Sequence, residues 1–311
     1  MKAVICSKYG SPDLFQLKEI QKPIPKDHEI LIKIKAVNIT ISDCIVRSGK
    51  VNFLLWLPMR IFVGFRKPRR SILGLELSGE VETIGKKVKK FKPNDQVIAF
   101  TGKYFGAYAE YVCLPENGTS IPNDCVIVKK PSNLNWEEAA AILTRGTLAF
   151  HYLKKAQVSE GENVMIYGAS GGVGTYAIQF AKKMGTNVTG VCSTKNLDLV
   201  KSLGADRVID YTKQDLTKEN EKYDLIFDAV GKKHSSKIKF KNILSSKGHF
   251  SSVDDGSPKI HIHQIQELLP FFENGEIKTI IDKIYPLDQI KEAHEYVEKG
   301  HKSGHIVIKI D

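Results

Sequence analysis

Apolar and polar residues alternate along the first third of the chain, and this pattern predicts strands. In "EILIKIKAVNI", residues 29–39, apolar residues alternate with lysines, which is typical of a half-buried strand. Further short apolar runs follow between glycine and lysine-proline turns: "SGEVETIG", "DQVIAF" and "GAYAEYVCL". Short strands at this spacing predict a compact, barrel-like domain.

The pattern changes at "PSNLNWEEAAAI", where apolar residues recur at helical spacing and Ser132 or Asn133 is predicted to cap a helix. Beyond it, apolar runs alternate with helices predicted at residues 174–184 and 197–203. The predicted strands are "NVMIYG", "NVTGVC", "RVIDY", "YDLIFDAV" and "GHFSSV". This alternation predicts an α/β fold with a doubly wound parallel sheet. Near the end, "PLDQIKEAHEYVEKG" predicts an amphipathic helix and "GHIVIKI" a final strand.

One apolar segment, "VNFLLWLPMRIFVGF" at residues 51–65, fits neither pattern. It is too short to span a bilayer, and Pro58 and Arg60 interrupt it, so we expect no membrane span. We expect a loop or short helices there. Together with the basic "FRKPRR" that follows, residues 51–70 could line a pocket, cover a neighbouring subunit or touch a membrane.

Length and charge narrow the class of protein. A chain of 311 residues with 42% hydrophobic residues fits two globular domains. The net charge is +11, but the lysine-rich stretches are not interleaved with aromatic residues, so we expect solvated lysine faces and no nucleic-acid partner.

The cysteines and the N-terminus indicate a compartment. Five cysteines are spread singly, without the spacing of a zinc site, and their odd number disfavours a disulfide framework: Cys6, Cys44, Cys113, Cys125 and Cys192. The first residues, "MKAVIC", are strand-like and do not form a secretory signal. We therefore expect a cytoplasmic protein with free thiols.

A glycine cluster within "NVMIYGASGGVGTYAIQFAKKMG", residues 163–185, carries the first chemical signal. It follows a predicted strand and opens a predicted helix. Small residues there let the chain turn sharply, bring its N–H groups to a pyrophosphate and pack the helix on the strand, while the helix N-terminus adds positive partial charge. The turn therefore predicts a dinucleotide site formed by Ala169, Ser170, Gly171, Gly172, Val173 and Gly174.

The end of the next strand predicts which dinucleotide binds. NAD sites usually carry an acid there, whereas this chain reads "VCSTKN". Ser193, Thr194 and Lys195 can donate hydrogen bonds and positive charge to a 2′-phosphate, and Tyr211 is a further donor. We therefore predict NADPH as the cofactor. A polar loop with a chance lysine is the alternative, and it does not explain the missing acid.

With these residues in view, the chain resembles the medium-chain dehydrogenase/reductase superfamily, within it the zinc-independent quinone oxidoreductase (zeta-crystallin-like) and enone reductase branch. The matching motifs occur in order along nearly the full length: "MKAV", "VRSG", "ILGLELSGEV", "GAYAEYV", "EEAAAI", "GASGGVG", "KSLGADRVIDY", "YDLIFDAVG" and "GHKSGHIVI". The resemblance implies a β-rich GroES-like catalytic domain at residues 1–125, completed by 276–311. It also implies a Rossmann NADP-binding domain at 126–275, a cofactor between the domains, and a homodimer.

The resemblance also implies that zinc is absent. Zinc-binding relatives carry a cysteine where this chain has Thr40 and a histidine where it has Leu75, and neither residue is a zinc ligand. Glu76 is kept in the family even without metal. The structural zinc lobe is missing as well, because residues 96–112 are expected to run on as β structure.

Without a metal, the reaction implied is hydride transfer to a quinone or an α,β-unsaturated carbonyl, whose negative charge spreads onto an oxygen that a hydrogen-bond donor can hold. Thr40, Ser42 and Tyr104 are the candidates for that donor, and Asp43 is expected to orient the loop. A purely structural hydroxyl remains an alternative at each position, and water could supply the proton.

Position in the fold adds further cofactor candidates. We expect Thr147 near the nicotinamide or a phosphate, Val230 beside the adenine, and Ser252 near the nicotinamide end. The histidines, including His261 and His263, are expected to be surface or core residues. The function expected is an NADPH-dependent oxidoreductase acting on quinones or α,β-unsaturated carbonyls. The alternative is an NADPH-binding protein with a sensing or structural role and no physiological catalysis.

Overall fold

The computed structural model describes residues 1–51, 53–117, 124–235, 240–256 and 262–311. The chain forms two compact units. The first comprises Met1–Thr144, Ile260–Leu269 and Ile281–Asp311, and the second comprises Arg145–Lys259 and Pro270–Ile280. These limits lie beyond the domain boundaries predicted at residues 125 and 276, which stay a prediction.

In chain order, the strands of the described residues are β1 (Lys2–Cys6), β2 (Phe15–Glu19), β3 (Glu29–Ile39), β4 (Glu76–Ile84), β5 (Gln96–Phe100), β6 (Tyr111–Pro115), β7 (Val126–Lys129), β8 (Asn163–Tyr167), β9 (Asn187–Cys192), β10 (Arg207–Asp210), β11 (Tyr223–Asp228), β12 (Leu244–Ser252), β13 (Ile281–Pro286) and β14 (His305–Lys309). The α-helices are α1 (Ile41–Ser48), α2 (Phe53–Val63), α3 (Trp136–Ala140), α4 (Leu143–Ala156), α5 (Gly172–Lys183), α6 (Leu197–Ser202), α7 (Lys232–Ser235), α8 (Ile262–Glu273) and α9 (Ile290–Glu298).

The first unit is built around β3, which has the predicted bounds. The larger sheet has the order β13-β14-β3-β4-β5-β7, with β6 also paired to β3, and β1 pairs with β2 in a separate sheet. Ile30, Ile32 and Ile34 point into the main core, as the alternating pattern predicts. The second half of β3 is buried on both faces, because Ala36 packs against α3 while Val37 belongs to the main core. The expectation of a half-buried strand is therefore wrong for that half.

Two local predictions in the first unit need correction. The stretch 96–112 does not run on as β structure: β5 ends at Phe100, and a 3-10 turn follows at Gly102–Tyr104. Phe105 and Gly106 then take left-handed φ values of 53° and 96°, which interrupt an extended chain. Helix α3 is capped by Asn135 rather than by Ser132 or Asn133, because the Asn135 side chain accepts from the Glu138 N–H at 2.8 Å in a capping box.

The second unit contains a five-stranded sheet that is parallel throughout, with the order β10-β9-β8-β11-β12. Strand β8 lies at its centre, and Val164, Met165 and Ile166 are completely buried. This order confirms the predicted α/β class and doubly wound parallel sheet. Helix α5 begins at Gly172, two residues earlier than predicted, because Gly171 already has the extended conformation of an N-cap.

The apolar segment after residue 51 forms one helix, α2, instead of a loop or several short helices. Pro58 lies inside it. None of the helices in the described parts of the chain has the length and apolarity needed to cross a bilayer.

Candidate cofactor and active site

The carboxyl ends of the five parallel strands share one edge of the sheet. The strand order reverses between β8 and β11, since β9 and β10 lie on one side of β8 and β12 lies beyond β11. Ligands of open parallel sheets bind at the carboxyl edge near such a reversal. Most predicted cofactor residues lie at this edge, at strand ends or in the loops that follow: Ala169, Ser170, Gly171, Gly172, Val173, Gly174, Ser193, Lys195, Tyr211, Val230 and Ser252.

The turn after β8 leaves several backbone donors without helical partners. Ala169 donates its N–H to the Val191 carbonyl at 2.9 Å, which holds the turn beside β9. The first i→i−4 bond of α5 runs from the Thr175 N–H to the Gly171 carbonyl at 2.9 Å. The N–H groups of the three preceding residues therefore have no partner within the helix and can bind an anion at its positive end.

Two glycines of this turn have different roles. A Cβ atom on Gly174 would lie 2.2 Å from the Gly168 carbonyl oxygen, so this glycine is required for packing α5 against the turn. A Cβ on Gly171 would have only the same oxygen near it, at 3.4 Å. The space in front of Gly171 is open, which fits close approach of a pyrophosphate to the backbone.

Asn196 connects two of the predicted cofactor residues. Its amide nitrogen donates to the hydroxyl oxygens of Ser170 and Ser193, at 2.9 and 3.3 Å. Because both oxygens act as acceptors, the hydroxyl protons remain available to donate to a ligand. Asn196 itself is buried, so it fixes the two serines from beneath the edge.

An acid does lie near the end of β9, but it comes from the neighbouring strand. Asp210 ends β10 directly opposite Cys192. It accepts from the Thr194 hydroxyl at 2.5 Å and from the hydroxyl and N–H of Thr212 at 2.6 and 3.0 Å. The hydroxyls of Thr194 and Thr212 hold the pKa of this carboxyl below its ordinary value. Both oxygens are therefore engaged within the protein, unlike the acid that binds a ribose in an NAD site.

This pairing changes the role of one predicted donor and leaves two others in place. The Thr194 hydroxyl donates to Asp210, so its proton is not available to a phosphate. Lys195 and Tyr211 both have exposed side chains. The Tyr211 ring lies 6.5 Å from the ring of Tyr167, the last residue of β8, so the aromatic pair spans the end of β9, the strand between them.

Thr147 lies in α4 rather than at the sheet edge. Its side chain is only 2% exposed, and its hydroxyl has no hydrogen-bond partner among the described residues. A buried hydroxyl without a partner is costly unless a ligand or water satisfies it. This orphaned group therefore fits the predicted role in binding a polar part of the cofactor.

The edge beyond β11 is organised by a buried carboxylate, Asp228. It accepts the N–H groups of Val230 and Gly231, each at 3.0 Å. It also accepts the hydroxyls of Ser235 at 2.7 Å and Ser252 at 3.0 Å. The Ser252 hydroxyl is therefore committed to the protein, and its side chain supports the loop after β11.

The candidate catalytic residues of the first unit differ in how free their hydroxyls are. Thr40 caps α1 and donates its hydroxyl to the Asp43 carboxylate at 2.7 Å, while its N–H donates to the same oxygen at 2.9 Å. Asp43 therefore orients the loop, as expected. Ser42 is exposed and makes no hydrogen bond to any described residue, so its hydroxyl is free to donate. This geometry favours Ser42 over Thr40.

Tyr104 ends the 3-10 turn and is half-buried. Burial, followed by the nearby Asp124, raises the pKa of its phenol, so it stays protonated and able to donate. The Lys103 ammonium lies 5.2 Å from the centre of the Tyr104 ring. Tyr104 thus remains a candidate donor beside Ser42.

Glu76, at the position that zinc relatives also keep, has a structural role here. It is completely buried, and its two oxygens accept from the Asn38 amide and the Thr144 N–H, each at 2.5 Å. The Thr144 N–H belongs to the first turn of α4, where helix donors lack partners. Glu76 therefore caps that helix.

A cluster of buried polar side chains lies around His294 in the first unit. Its ring nitrogens lie 3.4 Å from the Cys44 sulfur and 3.0 Å from the Tyr108 hydroxyl. Burial and then the charge of Arg47 lower the pKa of His294 to about 3, and burial raises that of Cys44 to about 12. Both side chains are neutral near pH 7, so His294 is a core residue, as expected for the histidines.

Comparison with known proteins agrees with this arrangement. Residues 26–123 match the model of the alcohol dehydrogenase GroES-like domain, and residues 172–264 and 250–308 match two models of zinc-binding dehydrogenases. The chain is 32% identical to 2-methylene-furan-3-one reductase of Solanum lycopersicum, over 99% of this chain and 79% of that one. The chain belongs to the medium-chain dehydrogenase/reductase superfamily.

Two further members of this superfamily are similar to the chain. The NADPH-dependent alkenal/one oxidoreductase, chloroplastic, of Arabidopsis thaliana is 29% identical, over 99% of this chain and 79% of that one. The solved structure of the quinone oxidoreductase from Coxiella burnetii has a TM-score of 0.85 and 28% identity, covering 100% of this chain and 99% of that one. The GroES-like and Rossmann-type architecture predicted from the sequence is thereby confirmed.

Two of the matching family models describe zinc-binding dehydrogenases, so we asked whether this chain could bind zinc. Within the described parts of the chain, no group of three or more His, Cys, Asp or Glu side chains is placed to hold a metal ion. The hydroxyl of Thr40, one of the two ligand positions, is bonded to Asp43, and the other position is the apolar Leu75. The absence of zinc stays a prediction that rests on the chemistry of these two residues.

Sequence reasoning missed three residues that organise the cofactor edge. Asp228 lies within "YDLIFDAVG" and is the last residue of β11, and an acid at the carboxyl end of a parallel strand is a visible signal. Asp210 is likewise the last residue of β10, within "RVIDY", but only strand pairing places it beside Cys192. Asn196 follows the loop after β9 and has no periodicity that distinguishes it from a surface residue.

Proposed function

We propose that this protein is an NADPH-dependent reductase that transfers a hydride to quinones or α,β-unsaturated carbonyls. The observation that carries the proposal is the open glycine turn at the carboxyl edge, with first-turn N–H groups of α5 that have no partner within the helix and a serine pair held by Asn196. The names of the relatives, a 2-methylene-furan-3-one reductase and an NADPH-dependent alkenal/one oxidoreductase, support the same reaction class.

The residues of this chain would hold NADPH in two places. The N–H groups of the first turn of α5 and the Ser170 hydroxyl would bind the pyrophosphate. Ser193, Lys195 and Tyr211 would bind the 2′-phosphate, while Asp210 is kept occupied by its own threonines. The bound cofactor supplies the hydride; the protein supplies orientation and charge.

Substrate activation would rest on hydrogen bonding. As a hydride reaches the β-carbon of an enone, or the ring of a quinone, negative charge collects on the carbonyl oxygen. Ser42 has a free hydroxyl and Tyr104 a protonated phenol, so either can donate to that oxygen. We propose that solvent supplies the proton that completes the product.

The test is NADPH oxidation with a panel of benzoquinone, phenanthrenequinone and alkenals, with the corresponding saturated aldehydes as controls. We expect turnover of the conjugated compounds and none of the saturated aldehydes, because only conjugation spreads the charge. Tight NADPH binding without turnover of any compound would instead support the alternative, an NADPH-binding protein with a sensing or structural role.

We also propose that the reaction needs no zinc. Elemental analysis of purified protein is expected to find no stoichiometric zinc, and chelators are expected to leave the rate unchanged. One tightly bound zinc per chain would contradict this, because it would require ligands other than Thr40 and Leu75.

The oligomeric state and compartment are proposals of the same kind. We propose a homodimer joined along β12, one of the two edge strands of the parallel sheet, since an unpaired strand edge is a ready pairing surface. Light scattering of the purified chain tests this. We propose the cytoplasm as the compartment, because all five cysteines are free thiols and four of them are buried. Cell fractionation tests that assignment.

A further inference from the structure

Helix α2 and the residues directly after it, up to Phe65, expose more apolar surface than any function proposed above requires. Five large apolar side chains in ten residues are 40–61% exposed: Trp56, Leu57, Ile61, Phe62 and Phe65. We call them the α2 patch. Exposed apolar residues scattered singly are ordinary, but a contiguous group marks a surface that meets a partner.

Contacts between helix α2 and the rest of the first unit hold the patch in place. Met59 and Val63 pack against the main core of the first unit. The Tyr9 hydroxyl donates to the Gly64 carbonyl at 2.6 Å, and the Arg60 guanidinium lies 3.9 Å from the centre of the Tyr9 ring. The helix is thus anchored to the first unit, and the exposure of the patch is part of the folded structure.

A basic segment directly follows the patch. Arg66, Lys67, Arg69 and Arg70 are all exposed, and the structure gives none of them an acidic ion-pair partner within the described residues. The Arg69 N–H donates to the Val63 carbonyl at 2.7 Å, which folds the basic segment back against the end of α2. Apolar and cationic side chains therefore lie side by side on one surface.

We propose that the α2 patch and the basic segment dock on an anionic lipid surface. The aromatic and aliphatic side chains would enter the boundary between headgroups and acyl chains, and the four cations would meet the lipid phosphates and carboxylates. Helix α2 has 11 residues and cannot cross a bilayer, so the association is peripheral.

A second copy of the chain fits this surface less well. In a twofold interface the same patch meets itself, so the four cations of one copy would lie near the four of the other. Like charges brought together in this way repel each other, whereas an anionic membrane neutralises them. The charge of the basic segment therefore selects lipid over self-association.

The first experiment uses the full chain and two kinds of vesicle, phosphatidylcholine alone and phosphatidylcholine mixed with phosphatidylserine. We expect flotation with the mixed vesicles, weakened by high salt, and little flotation with the neutral ones. Equal binding to both, or to neither, would overturn the proposal. No turnover is measured, so a failed reductase assay would leave this result intact.

Variants separate the apolar and basic contributions. Arg69→Gln with Arg70→Gln is expected to lower binding roughly 30-fold, since each basic residue near an anionic surface is worth about fivefold. The matched control is Lys89→Gln with Lys90→Gln, which removes the same charge from exposed lysines elsewhere. An equal loss in the control would show that only net charge matters, and would overturn the assigned surface.

For the apolar part, Leu57→Gln with Ile61→Gln is expected to lower binding at least roughly tenfold, and Ile24→Gln, at another exposed site, to leave it unchanged. If the Leu57→Gln, Ile61→Gln variant lost self-association and kept its lipid binding, a second copy of the chain would be the occupant of the patch and the proposal would be overturned.

A direct probe of depth is available because the chain has two tryptophans, Trp56 and Trp136. In a Trp136→Phe protein, Trp56 becomes the sole reporter. We expect its emission to shift to shorter wavelength on mixed vesicles and to be quenched by lipids brominated in the acyl chains. Bound protein without quenching would place Trp56 outside the lipid and overturn insertion of the patch. Because Trp56 is already part of the α2 patch, no reporter has to be introduced there, and the experiment needs only that the Trp136→Phe protein folds.

Discussion

The loops after β8 and β9 and the loop that begins α1 both contain buried polar groups, but Ser170 and Ser193 in the first pair of loops use them in the opposite way to Thr40 in the second. In the loops after β8 and β9, Asn196 donates to Ser170 and Ser193 and leaves their hydroxyl protons available to a ligand. In the loop, the Thr40 hydroxyl is consumed by Asp43.

This difference indicates where binding energy is available. A site that leaves donors open before its ligand arrives pays little reorganisation when charge appears there. The loop that begins α1 instead satisfies the Thr40 hydroxyl within the protein and leaves few donors for a substrate. Such a division suits a reaction in which the cofactor carries the chemistry and the substrate oxygen needs only a weak donor.

The largest effect is expected from Gly171→Val. The turn has room for a Cβ at this position, so the second unit should fold, but the branched side chain would fill the space proposed for the pyrophosphate. Loss of two charge-assisted hydrogen bonds predicts a rise in the NADPH dissociation constant of roughly a hundredfold or more. Calorimetric titration with NADPH measures it.

Gly174→Ala is the matched comparison within the same turn. Its Cβ would collide with the Gly168 carbonyl at 2.2 Å, so we expect a lower melting temperature rather than a selective loss of binding. If Gly171→Val bound NADPH normally in a folded protein, the turn would be purely structural and the contrast between edge and loop would fail.

The next effect tests which cofactor the edge selects. Lys195→Ala is expected to raise the Michaelis constant for NADPH roughly ten- to a hundredfold and to leave that for NADH nearly unchanged, because only NADPH carries the 2′-phosphate. Lys201→Ala, an exposed lysine in α6, is the control. Equal weakening of both cofactors would assign Lys195 to supporting the loop. A wild type that used NADH as well as NADPH would remove the basis of the preference.

Helix α1, which follows the compared loop, contacts the buried His294 through Cys44, and His294 predicts a pH dependence of stability. His294 has a folded pKa of about 3, against 6.5 for the free side chain. Between these values the unfolded chain binds a proton that the folded chain excludes, so stability falls as pH falls below 6.5. The slope from this group is about 1.4 kcal/mol for each pH unit, or tenfold in the unfolding equilibrium.

Denaturant titrations of the wild type and of His294→Gln between pH 7 and pH 5 would measure that slope, and the variant should lose it. His28→Gln, at an exposed histidine, should keep it. An unchanged slope in His294→Gln would mean that another group excludes the proton.

Much of the fold could be predicted because its signals are local. The bounds of β3, the strand and helix order around β8 and the strand–turn–helix arrangement at the glycine cluster all follow from neighbouring residues, and the structure has each of them. The misses were of another kind. The double burial of β3 depends on α3 packing on Ala36, and the break after Phe100 depends on left-handed backbone at Phe105. Neither feature can be predicted from a pattern of neighbouring residues.

The site shows the same limit. The residues after β8 and β9 could be named from the turn and the missing acid, because strand ends converge in any parallel sheet. Whether a given hydroxyl is free could not be predicted, because that depends on hydrogen-bond partners that are distant in sequence or that no sequence pattern distinguishes. Thr194 is bonded to Asp210 and Ser252 to Asp228, and only folding brings these pairs together.

The smallest effect should come from the loop that begins α1. Ser42→Ala removes an exposed, unpaired hydroxyl, so we expect kcat for a quinone to fall roughly fivefold, well below the hundredfold or more that a buried oxyanion donor gives. Thr40→Val should behave differently. It breaks the bond to Asp43 and the cap of α1, so it should lower stability by about 1 kcal/mol and leave kcat of the folded protein nearly unchanged. Steady-state kinetics at saturating NADPH, paired with denaturant titrations, separates the two. If Thr40→Val lowered kcat more than Ser42→Ala, the threonine would exchange Asp43 for the substrate during turnover, and the loop would not be the closed structure that its hydrogen bonds describe.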